Sequence, residues 1–266
     1  MINEYLSFWF SIQGIKQITE LFAKKKHDIR FVGGCVRDAL LGKKNSDIDF
    51  AINCNPDITA KLLLEKNIKI LEYGKKYGTI TAVIGKKNIE ITSLRVDKNQ
   101  SGRYTEVQFT DDWQKDAQRR DFTFNAININ LIGNMEDYFN GQHDIKLKQV
   151  KFIGSVEERI EEDYLRILRY FRFLGLFENP NIIEGYEEIL YKNLSQLREH
   201  VSNDLMRNEL LKMLKNKFKL NSFLDPKKSN KLNILINTIR KWWTEDQYEL
   251  GLYKCMNKID ELIIHS

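Results

Sequence analysis

Residues 29–52 read IRFVGGCVRDALLGKKNSDIDFAI, and this stretch decides the fold of the first half of the chain. A β-type run from Ile29 to Val32 leads directly into Gly33 and Gly34, and helical character resumes at residues 36–41 before it stops at Gly42. A second strand-like run follows at residues 47–52. The stretch therefore predicts a strand, a glycine turn, a helix and a second strand.

Two carboxylates stand two residues apart in the second run. Because side chains alternate along a strand, we expect Asp47 and Asp49 on one face and Ile48 and Phe50 on the other. Such a pair can hold Mg²⁺, which is commonly shared between one or two carboxylates and substrate phosphates. A D-x-D pair also occurs at solvated strand edges, so the pair indicates a metal site only together with its context.

The glycine turn supplies that context. Gly33 and Gly34 let the backbone approach an anion, the following helix presents free N–H groups, and Arg37 adds a fixed positive charge. The turn lacks the pattern of a P-loop, and two glycines before a helix are often only a tight turn. The turn and the carboxylate pair together are more specific than either feature alone.

Further along the chain, strand-like runs at residues 79–84 and 89–94 are joined by a turn at 85–88. Glu90 alternates with apolar neighbours on the second run and is a candidate third carboxylate.

Arg119 and Arg120 open the sequence RRDFTFNA, and paired guanidiniums hold phosphate oxygens bidentately. The same pair beside Asp121 also fits a surface ion-pair cluster.

The second half has helical periodicity, with predicted helices at residues 157–176, 183–197 and 202–216. Within the first of them, spacings of three place four charged side chains on one face, and such a face is usually solvated. An acid and an arginine held three apart can also read the edge of a nucleobase, because one accepts and the other donates hydrogen bonds. These residues are Asp163, Arg166, Arg169 and Arg172.

Composition sets wider limits. Hydrophobic residues make up 42% of the chain and charged residues 30%, which is typical of a globular protein, and no apolar run reaches the ~18 residues of a membrane span. The net charge of +5 permits a polyanionic partner without indicating one. The 3 cysteines form neither a disulfide framework nor a C-x-x-C pattern. We therefore expect a cytoplasmic protein with no membrane partner.

The motifs, in this order, resemble those of the class II tRNA nucleotidyltransferases, the family of CCA-adding enzymes and bacterial poly(A) polymerases. The resemblance covers residues 28–216 and rests on G-G-x-V-R-D, D-x-D, R-R-D-F-T-x-N-A and E-D-x-x-R. It implies a mixed α+β fold with a DNA polymerase β-like nucleotidyltransferase head at 1–148, a helical, nucleobase-binding neck at 149–216 and a shortened helical body at 217–266. Residues 90–95 followed by 102–107 look like the family's strand and flexible loop, and 137–144 like its hinge motif.

The same resemblance implies roles for individual residues. It assigns Mg²⁺ to Asp47 and Asp49, leaves the role of Glu90 open, and places the base edge at Asp163 and Arg166. It assigns the triphosphate to Gly34 and Arg37. It assigns nucleotide binding to Arg120, with Arg119 beside it, and phosphate contacts to Arg169 and Arg172.

The implied activity is template-independent addition of CCA to the 3′ end of tRNA, from CTP and ATP. A poly(A) polymerase is the nearest alternative, but residues 73–83 lack the basic-aromatic-basic signature of those enzymes. Enzymes that add only CC or only A remain possible, although the loop at 96–107 argues against a CC-only enzyme. A non-catalytic RNA-binding protein also remains possible. One departure lies in the neck, where residues 202–206 lack the family's arginine although Glu209 and Lys212 fit the following helix.

Overall fold

The computed structural model describes residues 2–214, apart from 102–103. Within them the chain forms two compact units, the first made of Met1–Leu147 with Lys151–Ser155 and the second of Lys148–Val150 with the residues from Val156 onward. The predicted α+β class, a sheet-based region followed by helices, is confirmed. The boundaries of head, neck and body remain predictions, and the predicted body at 217–266 lies outside the described residues.

A seven-stranded sheet forms the centre of the first unit, which also contains a separate two-stranded ladder. The strands of the large sheet follow the order β3-β4-β5-β2-β1-β8-β9, and β2 with β5 is its parallel pair. The small ladder pairs β6 with β7, so the described part of the segment expected as a flexible loop is extended and paired, while residues 102–103 of that segment lie outside the described residues. The strands are β1 Ile29–Val32, β2 Asp49–Ile52, β3 Lys69–Leu71, β4 Thr79–Ile84, β5 Lys87–Ser93, β6 Arg95–Ser101, β7 Tyr104–Phe109, β8 Asn128–Ile129 and β9 Met135–Glu136.

Helices cover one face of this sheet. Trp9, Phe31 and Phe50 are fully buried there, with the ring centroids of Phe31 and Phe50 4.8 Å apart. The first two helices are separated at Gly14, which has φ 90, and a Cβ at that position would lie 2.5 Å from the side chain of Ile84. The helices of the first unit are α1 Ile2–Ser11, α2 Ile15–Lys24, α3 Gly34–Leu40, α4 Pro56–Glu65, α5 Trp113–Gln118 and α6 Gly141–Lys146.

The second unit is helical, as its periodicity predicts, but its helices are shorter than expected. The predicted helix at 157–176 is two helices and that at 183–197 is also two. Helix α8 packs against α11, and α7 packs against α8 and α9. The helices are α7 Val156–Glu162, α8 Leu165–Leu174, α9 Tyr186–Lys192, α10 Gln196–His200 and α11 Asn203–Leu214. None of the helices in the described part combines the length and apolarity needed to cross a membrane.

Candidate nucleotide-binding site

Strand pairing in the first unit brings carboxylates from distant segments to one face of the sheet. Asp49 is the first residue of β2 and lies directly opposite Glu90 of the parallel strand β5. Ile48 and Phe50 are buried, so the expected alternation holds, although the strand begins at Asp49 and Asp47 precedes it. Because 41 residues separate Asp49 from Glu90 in the chain, their proximity depends on the fold.

The electrostatics at Asp49 reflect this convergence. Burial, together with the negative charges of Asp47 and Glu90, raises the pKa of Asp49 to about 7, while Arg120 and Arg37 act in the opposite direction. Across the described residues no group of three or more His, Cys, Asp or Glu side chains is arranged to hold a metal ion unaided. Mg²⁺ needs only one or two carboxylates when substrate phosphates and water complete its shell. The arrangement fits an ion that is shared with a substrate.

The glycine turn lies beside these carboxylates. Gly33 immediately precedes α3 and has φ 69 and ψ −127. Residues with a Cβ rarely adopt this backbone conformation. A Cβ at Gly33 would lie 3.7 Å from Asp49 Oδ2 and 3.9 Å from Arg120 Nη1. A Cβ at Gly34 would lie 3.8 Å from Arg37 Nη2. The turn, a carboxylate and two arginines therefore surround one small region.

Arg37 is fixed in the first unit by two partners. Its Nε and Nη2 atoms donate to Asp38 Oδ1 at 2.9 and 2.7 Å, and its Nη1 donates to Asn125 Oδ1 at 3.2 Å. Asn45 donates to the other oxygen of Asp38 at 2.8 Å. These hydrogen bonds orient the guanidinium beside the glycine turn.

Arg119 and Arg120 converge on a single carboxylate that the sequence reasoning missed. Asp116 accepts from Arg119 Nη2 at 2.7 Å on Oδ1 and from Arg120 Nη2 at 3.0 Å on Oδ2, and its side chain is 4% exposed. Burial alone would raise the pKa of Asp116, but the positive charges of Arg120 and Arg119 outweigh burial and lower it. The spacings of three and four residues along α5 could have indicated this contact.

Asn125 connects two of these arginines. Its side-chain oxygen accepts from Arg37, and its backbone carbonyl accepts from Arg120 Nη1 at 3.2 Å. Its amide group donates to Asp121 Oδ1 at 2.9 Å, which fixes the orientation of the side chain. The RRDFTFNA motif therefore supplies Arg119 and Arg120 and, through Asn125, one of the groups that orient Arg120.

The predicted hinge motif packs against the same region of the first unit. Asp137 accepts from the backbone N–H groups of Gly141 and Gln142 at 2.8 and 2.9 Å, and buried Asp144 accepts from the Thr123 hydroxyl at 2.6 Å. A Cβ on Gly141 would lie 2.5 Å from the carbonyl oxygen of Thr123. These contacts explain the residue types of the motif, while its role as a hinge stays a prediction.

In the second unit, the expectation of one helix carrying Asp163 and Arg166 is wrong. Helix α7 ends at Glu162, and the Asp163 carboxylate accepts from the backbone N–H of Leu165 at 3.1 Å. It thus acts as a side-chain cap for the first residue of α8, one position before Tyr164, which occupies the N-cap position. Arg166 is buried and donates to the carbonyl of Arg159 at 2.7 Å and to the carboxylate of Glu162. Most residues of α8 are buried, so this helix does not present an ordinary solvated face.

Arg169 and Arg172 lie further along α8. The guanidinium carbon of Arg172 lies 4.0 Å from the centroid of the Phe173 ring, and that of Arg169 lies 5.6 Å from it. Arg172 Nε also lies 2.6 Å from Glu209 Oε2 on α11, and Glu209 is bridged by Lys212 at 2.9 Å. Glu209 therefore joins α11 to α8 through Arg172, while Lys212 contacts Glu209 within α11.

The two units thus divide the predicted site residues. In the first unit, Asp49, Glu90, Gly34, Arg37 and Arg120 meet around the glycine turn, with Asp47 acting electrostatically on Asp49. Arg119 joins them through Asp116. The residues Asp163, Arg166, Arg169 and Arg172 belong to the second unit.

Comparisons with known proteins show what the chain is similar to. Residues 29–151 match the poly A polymerase head domain. The human mitochondrial CCA tRNA nucleotidyltransferase 1 is 50% identical over 164 residues, which are 61% of this chain and 38% of that protein. The CCA-adding enzyme of Staphylococcus haemolyticus is 36% identical over 214 residues, or 79% of this chain and 52% of the relative. The chain spans about half the length, or less, of the curated relatives that it matches.

Solved structures give the same result. The Bacillus stearothermophilus CCA-adding enzyme in complex with CTP matches with a TM-score of 0.69 at 30% identity, over 80% of this chain and 51% of that one. The Thermotoga maritima CCA-adding enzyme complexed with tRNA matches with a TM-score of 0.67 at 26% identity, over 88% of this chain and 55% of that one.

The first unit has the fold and the residue arrangement of a nucleotidyltransferase head domain, and residues 29–151 match the poly A polymerase head domain. The resemblance to the class II tRNA nucleotidyltransferases is thereby confirmed. Because the human relative is named as mitochondrial, a cytoplasmic location stays a prediction.

Proposed function

We propose that this chain adds CCA to the 3′ end of tRNA, with CTP and ATP as substrates and pyrophosphate as the leaving product. One observation carries the proposal. Asp49 faces Glu90 across the parallel strand pair beside the glycine turn, within a stretch similar to proteins named as CCA-adding enzymes.

Asp47 and Asp49 are the proposed ligands of Mg²⁺, with Glu90 as a third carboxylate nearby. The fit rests on the position of Asp49 opposite Glu90: burial, together with the negative charges of Asp47 and Glu90, raises the pKa of Asp49, and a bound cation would offset that charge. When bound, Mg²⁺ stabilises the negative charge that develops on the attacking and leaving oxygens.

The arginines of the first unit are proposed to bind and orient the nucleotide. Gly34 leaves space for a phosphate next to the backbone, and Arg37 lies within reach of that space. Arg120 lies on the other side of the turn, beside Asp49. Fixed guanidiniums stabilise phosphate charge without reorganising during the reaction, so they favour in-line attack of the RNA 3′-hydroxyl on the α-phosphate.

Selection of the base is proposed for Asp163 and Arg166 in the second unit. Cytosine and adenine both offer an amino group next to a ring nitrogen acceptor, which a carboxylate and a guanidinium can satisfy together. Arg166 is held by Glu162 and a backbone carbonyl, and Asp163 is fixed at the start of α8. Arg169 and Arg172 are proposed to support this surface and to contact phosphate. Two side chains with restricted positions are suited to discriminate between bases.

The test uses tRNA lacking CCA, Mg²⁺, and each nucleotide singly and together, followed by sequencing of the 3′ ends. The proposal predicts C additions with CTP alone, and CCA with CTP and ATP. Long runs of A would identify a poly(A) polymerase, which the description of the matching head domain also fits. Addition of CC only or A only would identify a partial enzyme, and binding without addition would identify a non-catalytic RNA-binding protein.

A further inference from the structure

One buried carboxylate lies between the two arginines of the proposed nucleotide site without belonging to the metal-binding group. Asp116 contacts Arg119 through Oδ1 and Arg120 through Oδ2, so each oxygen serves a different guanidinium. The backbone N–H of Arg95 also donates to Oδ1, at 3.2 Å. Asp116 comes from α5, and its contacts with the arginines are spaced like neighbours on one helix face.

These contacts fix the direction of the arginines. Arg120 is held from two sides, because its Nη2 atom donates to Asp116 while its Nη1 atom donates to the carbonyl of Asn125. A guanidinium with two fixed edges can present only its remaining N–H groups to a ligand. The same arginine lies 3.9 Å from the position of a Cβ on Gly33, beside the space proposed for phosphate.

We infer that Asp116 is a positioning residue, which orients Arg119 and Arg120 toward the phosphates of the incoming nucleotide. The inference rests on the proposed function, since it assumes that the glycine turn receives a nucleoside triphosphate. Asp116 itself does not contact the nucleotide. Its effect runs through the direction of the two guanidiniums, which bind phosphate bidentately only in a narrow range of orientations.

Electrostatics alone predict the opposite outcome. Removing a negative charge next to two arginines makes the site more positive, which would tighten the binding of a triphosphate. Positioning predicts weaker binding, because freed guanidiniums must be reordered by the ligand at an entropic cost. The sign of the change in affinity therefore separates the two explanations.

Two substitutions act on different parts of the contact. Asp116→Asn removes the charge and one acceptor oxygen, whereas Asp116→Glu keeps the charge and displaces the carboxylate by one methylene group. The matched control is Asp112→Asn on the same helix, since Asp112 caps the start of α5 and asparagine caps equally well. Thermal unfolding of each variant establishes that it is folded.

The probes are CTP and inorganic tripolyphosphate, titrated into the full chain by isothermal calorimetry with Mg²⁺ present and tRNA absent. We expect both Asp116 variants to bind CTP and tripolyphosphate about tenfold to a hundredfold more weakly than wild type, and Asp112→Asn to bind both ligands like wild type. A merely structural role would lower the melting temperature while the folded protein kept its wild-type affinity for tripolyphosphate.

Unchanged or tighter binding by a folded Asp116 variant would overturn the inference, and if one variant does not fold the other decides. Failure of the wild-type chain to bind CTP at all would contradict the proposed function instead, so the two failures are distinguishable.

Discussion

The predicted functional residues of the first unit come from segments far apart in the sequence, whereas those of the second unit all lie in the single stretch 163–172. In the first unit, strand register brings Asp49 and Glu90 opposite each other and the glycine turn beside them. In the second, one helix was expected to align Asp163 with Arg166, but the chain breaks at Asp163. Long-range pairing supports the predicted site more firmly here than local periodicity does.

The largest expected effect is at the carboxylates. Asp49→Asn should reduce nucleotide addition by about a thousandfold or more, because a neutral amide cannot replace the carboxylate at a divalent metal. Asp47→Ala should have a similar effect, while both variants keep the fold. The measurement is the single-turnover rate with tRNA and CTP.

The matched control for these variants is Glu65→Gln, which removes an exposed carboxylate at the end of α4 in the same unit. It should add nucleotides at the wild-type rate. Near-normal turnover of Asp49→Asn would remove this residue from the metal site.

The contact between α8 and α11 should carry a large part of the stability of the second unit. Glu209→Ala should lower the free energy of unfolding by about 3 kcal/mol, because it takes a buried carboxylate away from Arg172. Lys212→Met removes the exposed partner of the same carboxylate and should cost less than about 1 kcal/mol. Urea unfolding of both variants measures the difference, and equal small losses would show that Arg172 does not depend on Glu209.

Asp163 offers a way to separate helix capping from base selection. Asp163→Ala should lose both the cap of α8 and the discrimination between bases, at a cost of about 1 kcal/mol in stability. Asp163→Asn keeps a side-chain oxygen for the Leu165 N–H but changes the group presented to a base.

Both Asp163 variants should relax nucleotide preference by about tenfold to a hundredfold, which competition among all four triphosphates measures directly. Nucleotide choice that stays as in the wild type in both variants would show that Asp163 serves only as a cap.

The two glycines of the turn should respond differently to alanine. Gly33→Ala should cost about 1 kcal/mol or more in stability, because Gly33 has φ 69. Gly34→Ala should change stability little and instead raise KM for the nucleotide, since a methyl group would occupy space near Arg37. Thermal unfolding with KM measurements checks the pair, and the reverse pattern would contradict the assignment of phosphate to Gly34.

The sequence predicted the elements of the first unit well where their signals were local. Strand β1 has the predicted limits Ile29–Val32, because a β-type run that ends at two glycines is a local signal. The parallel pairing of β2 with β5 could not be predicted from the residues alone, since nothing local specifies which strands become neighbours. Only the resemblance to a family indicated that these two segments belong to one site.

The errors have physical reasons as well. The paired arginines do not by themselves indicate Asp116, because this carboxylate lies outside their motif, about one helical turn before it. The break at Asp163 was missed because an aspartate that caps a helix has the same spacing to following arginines as one inside it. Apolar periodicity continues across such a break and hides it.

Cleavage by bound iron tests most directly whether separate segments meet at one metal site in the first unit. Fe²⁺ that replaces Mg²⁺ generates hydroxyl radicals in the presence of ascorbate and peroxide, and these cut the backbone close to the ion. The structure predicts cuts near residues 33–34, 47–49 and 90, suppressed by excess Mg²⁺ and lost in Asp49→Asn but not in Glu65→Gln. Cuts confined to other segments, or the same pattern in Asp49→Asn, would contradict a metal site at this strand pair.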